Sequence, residues 1–188
     1  QSLLHLLLKI SNNHHRNPEF FIKIGRIISH FKEDIKIYYS NYETFQLFKS
    51  NKRLLLFLFK EGIILPNKAI FCAITSYKYK QAFYPHYFLP EFQSFYDENF
   101  IQLIKDEIQK NSQSSENDSE DSFEKKRETG ANDHNICEMI RNDSIDQFTE
   151  FINHSNLPMT SNIEPSVFET NEFLLKNQTP TLIEYAAF

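Results

Sequence analysis

The chain has 188 residues, 40% hydrophobic and 24% charged, enough for one ordinary domain or for a small domain and part of a second. Nineteen phenylalanines stand against three glycines, and so few glycines exclude a glycine-rich nucleotide loop. The net charge of -5 hides an asymmetry: positions 1–110 carry 15 Lys/Arg against 10 Asp/Glu, and positions 111–188 carry 5 against 15.

The chain starts at Gln1, and the Leu3 to Ile10 run lacks the basic flank and small-residue cleavage site of a secretory signal, which suggests a piece cut from a longer protein. His14 and His15, in SNNHHRNP, read as a solvent-exposed loop, because adjacent residues on a helix cannot easily face one metal or one substrate. Next comes Thr44 to Leu65, TFQLFKSNKRLLLFLFKEGIIL. It predicts a short apolar helix, a polar break at Lys49 to Lys52, and a longer leucine-rich helix closed by Gly62, a residue that enters the left-handed region without a Cβ penalty. Its apolar run is broken by Lys60, Glu61 and Gly62, short of the roughly 18 residues that span a bilayer. A cytoplasmic protein with no membrane partner is therefore expected.

The tract Tyr77 to Phe95 is aromatic, and Pro85 and Pro90 predict bent connections, with His86 packed or at the surface. Lys78 and Lys80 among its rings allow a nucleic-acid reading, but aromatic cover for a helical core accounts for the same residues without a partner. Asp97 is placed to cap a helix whose apolar face comprises Phe100, Leu103, Ile104 and Ile108.

Asn111 to Asn135 is dominated by Ser, Asn, Asp and Glu and reads as an acidic disordered linker. It divides the chain into an N-terminal helical region over 1–110, the linker over 111–135, and a C-terminal region over 136–188. Ser115, followed by Glu116 and then Asp118, has the acidic context of a casein-kinase-like phosphorylation site.

A second hairpin begins at Asn135: Ile136, Met139 and Ile140 form one apolar face, Arg141 to Ser144 a polar turn, and Ile145, Phe148, Phe151 and Ile152 the next face, with Asn153 to Asn156 ending the helix. The chain then runs to TPTLIEYAAF, in which Thr179 and Pro180 open a helix and Ala186 and Ala187 form a small-residue pair. Cys72 and Cys137 show no CxxC or Cys/His spacing, and two buried thiols are expected rather than a disulfide or a zinc site. No GxSxG, HExxH, Walker A or GxGxxG string occurs. No catalytic residue, cofactor-binding residue or metal ligand is therefore assigned, and an enzyme is not expected.

The ending resembles ankyrin repeats, in which a Thr-Pro-Leu-His-x-Ala-Ala segment builds a first helix and a leucine-rich helix ending in Gly follows. Thr179, Pro180, Leu182, Ala186 and Ala187 match the first segment, with Thr181 read as an insertion, and Leu54 to Gly62 and Ile145 to Asn153 match the second. The strings ETGANDHNICEMIRNDSIDQF, IEPSVFETNEFLLKNQ and TLIEYAAF resemble the large family of ankyrin proteins from parabasalid protists that carry a domain of unknown function before their repeats. No complete consensus repeat is present, and Pro158 to Asn177 inserts an irregular segment between units.

The resemblance implies an all-α fold of antiparallel hairpins, a degenerate ankyrin-like solenoid, whose function is to bind a protein partner. The partner's identity does not follow from it. An autonomous helical domain that caps or regulates an array, its basic half docked on the acidic linker, is the alternative, ahead of a nucleic-acid adaptor. Leu182, Ile183 and Phe188 are expected to await a following helix and leave apolar surface exposed.

Overall fold

The structure, a computed structural model, describes residues 3–14, 16–76, 83–111, 120–171, 174–175 and 179–187. Helices dominate, and the only strand-like pairing among the described residues is an isolated antiparallel bridge between Asn162 and Thr181. The all-α expectation holds.

Asparagine caps three of the described helices, because its short side chain accepts from the free N–H groups of a first turn. α1 spans Leu3–Asn13 and packs on α2, Pro18–His30, whose first turn is capped by Asn17 Oδ1, 3.0 Å from the Glu19 N–H. α3 is Lys32–Tyr38, and α4, Asn41–Phe48, starts in a capping box between Ser40 and Glu43. Asn51 and Asn67 cap α5, Lys52–Lys60, and α6, Lys68–Ile74, each accepting the N–H three residues on at 2.9 Å. Asn51 also donates to Ser11 Oγ at 3.2 Å and Asn12 Oδ1 at 2.6 Å, which ties α1 to the start of α5.

α4 and α5 form the first predicted hairpin. At its end Gly62 has φ +63°, its N–H donates to Phe59 O at 3.0 Å, and the Ile63 N–H reaches Leu58 O at 2.9 Å, the paired bonds of a Schellman cap.

Pro85 and Pro90 fall in the first turns of two one-turn helices, α7 (Tyr84–Tyr87) and α8 (Leu89–Phe92), where a missing N–H costs no bond. α7 packs on α9, Glu98–Asn111, which Asp97 caps through a 2.8 Å bond from the Phe100 N–H. The predicted apolar face of α9 is corrected at one position: Ile104 is 1% exposed but Leu103 is 50% exposed. Burial follows Phe100, Ile101, Ile104 and Ile108, and Leu103 lies off that line.

The linker expectation for 111–135 is also corrected from Glu120 onward; residues 112–119 lie outside the described residues. Glu120–Thr129 is a helix, α10, lying against α5. Polar composition hid two residues that hold it, Phe123, packed against the large core, and Arg127, whose side chain is fully buried. Its guanidinium meets Glu91 Oε1 at 2.5 Å and stands 5.5 Å from the ring centroids of Tyr87 and Phe123. Ser115 lies outside the described residues.

The second predicted hairpin comprises α11 (Asn135–Arg141) and α12 (Ile145–Ser155), closed by Asn156 in the left-handed conformation, φ 50°. The last helix, α13, is Leu182–Ala187 and packs on α11.

Two cores result. The larger joins α1 to α8 through Phe45, Phe48, Phe88 and Phe92 and is completed from the other half of the chain by Val167 and Phe168. The smaller comprises Cys137, Ile163, Leu174, Leu182 and Tyr185. Leu182 is thus already buried, contrary to the expectation that it awaits a further helix, whereas Ile183 is 52% exposed. Of the two thiols expected to be buried, Cys137 is and Cys72 is exposed, because Cys72 faces away from the contact between α6 and α4.

Candidate functional site at the junction of the two cores

The chain passes from the small core at Ile163 to the large core at Val167, and charged side chains gather where the cores meet. The Asn51 cap fixes the first turn of α5 and so sets the direction of Lys52 and Arg53. Lys52 turns inward and is fully buried, with Nζ 2.9 Å from Val167 O and 5.0 Å from the Tyr87 ring centroid. Burial pushes its ammonium down to about 7, against the opposing pull of the Glu169 carboxylate.

Glu169 is buried opposite. Its Oε1 accepts the N–H groups of Thr170 at 2.9 Å and Asn171 at 2.8 Å, and its Oε2 that of Asn132 at 3.2 Å. Burial raises this carboxyl above the ordinary range, and the three N–H donors and Lys52 pull it back.

Three further cations come from distant parts of the sequence. Arg53 Nε donates to Glu128 O at 2.9 Å, and its guanidinium stacks 4.0 Å from the Phe21 ring centroid. Arg16, in the turn between α1 and α2, donates to the Tyr185 carbonyl and lies 4.9 Å from that residue's ring centroid. Arg141, the last residue of α11, donates to Asn132 O at 2.5 Å and Tyr185 Oη at 2.7 Å. Burial raises the Tyr185 phenol well above its ordinary range and keeps it neutral.

Two cavities flank Glu169 and Tyr185. One, of about 290 Å³, is bounded by Phe83, Asn132 and Pro180; the other, of about 330 Å³, by Arg16, Arg53 and Arg141.

Apart from Pro180, which borders the first cavity, the residues picked out by the sequence lie elsewhere. Gly62 closes α5, Pro180 is buried and accepts the Ile163 N–H at 2.7 Å, and Leu182 is in the small core. Thr179, Ala186 and Ala187 are exposed. Thr181, read as an insertion, is the residue that opens α13: Glu184 N donates to its Oγ1 at 3.2 Å, and its own N–H donates to Glu184 Oε2 at 2.8 Å. Thr179 takes no part in that reciprocal pair.

Sequence reasoning passed over Lys52, Arg53, Arg141 and Glu169. The one available signal was Lys52-Arg53 at the head of a leucine run and Glu169 directly after Val167-Phe168, charges set against apolar neighbours. Elsewhere, His14 stacks on Phe20 with centroids 4.5 Å apart, and His86 meets Glu107 at 2.6 Å. Among the described residues no group of three His, Cys, Asp or Glu side chains could hold a metal ion, and no helix is long and apolar enough to cross a membrane.

No protein-family model matches the chain, and neither a curated protein nor a solved structure matches it.

Proposed function

We propose that the chain is a non-enzymatic protein–protein interaction module built on ankyrin-like hairpins. The observation that carries this reading is α12. It is an amphipathic helix of 11 residues with no fully buried residue: Ile145 is 72% exposed, and Phe148, Phe151 and Ile152 are only partly buried. A helix gains most of its stability by burying its apolar face, so this face suits a further protein surface.

Two features support the ankyrin kinship. Both hairpins pair a shorter helix with a longer one and end on a left-handed residue, Gly62 or Asn156. With Thr181 as the opening residue, Thr181 to Ala187 follows the Thr-Pro-Leu-His-x-Ala-Ala register without an insertion, although Leu182 replaces the proline and Glu184 the histidine.

The test is to fuse two consensus ankyrin repeats after Phe188 and compare denaturant melts with the original chain. Stacking on the exposed faces raises both the midpoint and the denaturant slope, since more surface is buried in one cooperative unit. Two independent transitions with the original slope retained would count against the reading.

A second reading, a self-contained helical cap, draws on the docking of α10. Lys60 pairs with Glu128 at 2.7 Å and Glu124 at 3.3 Å, so basic and acidic halves do meet. High salt loosens such exposed pairs, and under this reading it frees α10 while the hairpins stay folded.

A further inference from the structure

We propose that the arginine-lined cavity between the two cores binds a small phosphomonoester. Arg16, Arg53 and Arg141 come from the α1–α2 turn, the first turn of α5 and the end of α11, and all three border this one cavity of about 330 Å³. Guanidinium groups stay charged at every physiological pH, and their planar forks match the oxygens of a phosphoryl group.

The three side chains are already positioned. Arg16 is held by Tyr185, Arg53 by Phe21 and the Glu128 carbonyl, and Arg141 by Asn132 and Tyr185. Little side-chain entropy remains to be lost on binding. Among the described residues, the hydrogen-bond acceptors for Arg16 and Arg141 are neutral oxygens, which leave the positive charge of those groups uncancelled.

Negative charge nearby is engaged elsewhere. Glu169 lines the cavity, but both its oxygens accept backbone N–H groups and it faces Lys52; the Glu128 carboxylate is drawn to Lys60 at 2.7 Å. Among the described residues, three arginines therefore outweigh one lining carboxylate.

The shape narrows the ligand. Sites for small organic molecules run from about 300 to 1,000 Å³, so this cavity is large enough for a phosphate carrying a small organic group. Tyr185, Leu174 and Pro18 supply apolar wall for that group. A carboxylate is planar and is satisfied by one guanidinium fork, whereas three cations from three directions suit a tetrahedral dianion. Gly130 keeps the space open: in its left-handed conformation, φ +68°, an added Cβ would fall 2.9 Å from Arg53 Cδ.

The test is calorimetric titration of the whole chain with inorganic phosphate, glucose 6-phosphate and a phosphoserine peptide, with chloride at equal ionic strength as the control. Saturable one-site binding of a phosphate ester, with a rise in melting temperature, is the expected result. Preference for the sugar phosphate assigns a free metabolite as the source, and preference for the peptide assigns a phosphorylated side chain; both support the site. Arg16→Gln should weaken binding about tenfold or more, as loss of a charge-assisted bond does. Asn142→Asp, isosteric and at the exposed rim, should weaken it as well and guards against misfolding of the first variant. Binding no better than chloride, or binding unchanged in both variants, overturns the proposal.

Discussion

Lys52 Nζ lies 2.9 Å from the carbonyl oxygen of Val167, so that the N-terminus of α5 is bonded, inside the protein, to a segment 115 residues further along the chain. The ammonium that makes this bond is fully buried and keeps its charge less readily than an exposed lysine.

That burial has a pH signature. Folded Lys52 loses its proton near 7, whereas the unfolded lysine keeps it to about 10.5. Across that window the unfolded state binds more protons, so this group makes stability rise with pH, by at most about 1.4 kcal/mol per pH unit. Glu169 acts oppositely: its raised carboxyl costs stability as pH climbs from 4.5 through the folded value. Urea midpoints measured across the upper window should rise in the native chain and flatten in Lys52→Met. An equal rise in the variant would locate the effect elsewhere.

Arg127 anchors α10 to the large core through Glu91. Glu91→Ala leaves the buried guanidinium with its longer, 3.7 Å contact to Glu124 and should cost about 3 kcal/mol. Lys60→Ala, which removes the partly exposed pairs between α5 and α10, should cost at most about 1 kcal/mol. Equal losses in the two variants would mean that α10 is held by its surface charges.

Two glycines separate backbone strain from crowding. Gly62 and Gly130 both have positive φ, but a Cβ at Gly62 meets nothing within 4 Å, whereas at Gly130 it meets Arg53 Cδ and, at 3.0 Å, Thr170 Oγ1. Gly62→Ala should therefore cost about 1 kcal/mol for the conformation alone, and Gly130→Ala should cost about 1 kcal/mol more for displacing its neighbours. Chemical denaturation of the two variants gives the comparison directly.

The opening of α13 is decided by one threonine of two. Thr181→Ala removes the cap and should cost about 1 kcal/mol, whereas Thr179→Ala, at an exposed position, should stay within about 0.5 kcal/mol of the native chain. The reverse order would restore Thr179 as the opening residue.

The two thiols should differ in reactivity. Cys72 is exposed and should react with a thiol reagent in the folded protein; Cys137 is buried and its thiol is pushed up to about 12, so it should react only after unfolding. Mass spectrometry of the chain after brief labelling separates the sites.

Local rules by themselves determined the helical hairpins at Thr44 to Leu65 and from Asn135 onward, because a helix's apolar period and its caps are written within a few neighbouring residues. Gly62 and Asp97 do in the fold what their positions predict, for that reason. Burial was less legible. Leu103 fits the period of its helix yet is half exposed, since the period cannot say how wide a neighbour will cover it. The acidic stretch read as a linker for the same reason: composition averages over residues, and it hid a buried arginine paired with a glutamate 36 positions away and a phenylalanine packed on the core. The junction was decided by tertiary structure alone. Arg16, Arg53, Arg141 and Glu169 are brought together by the packing of separate helices, and no spacing along the chain encodes the low-dielectric space between two cores in which their charges act.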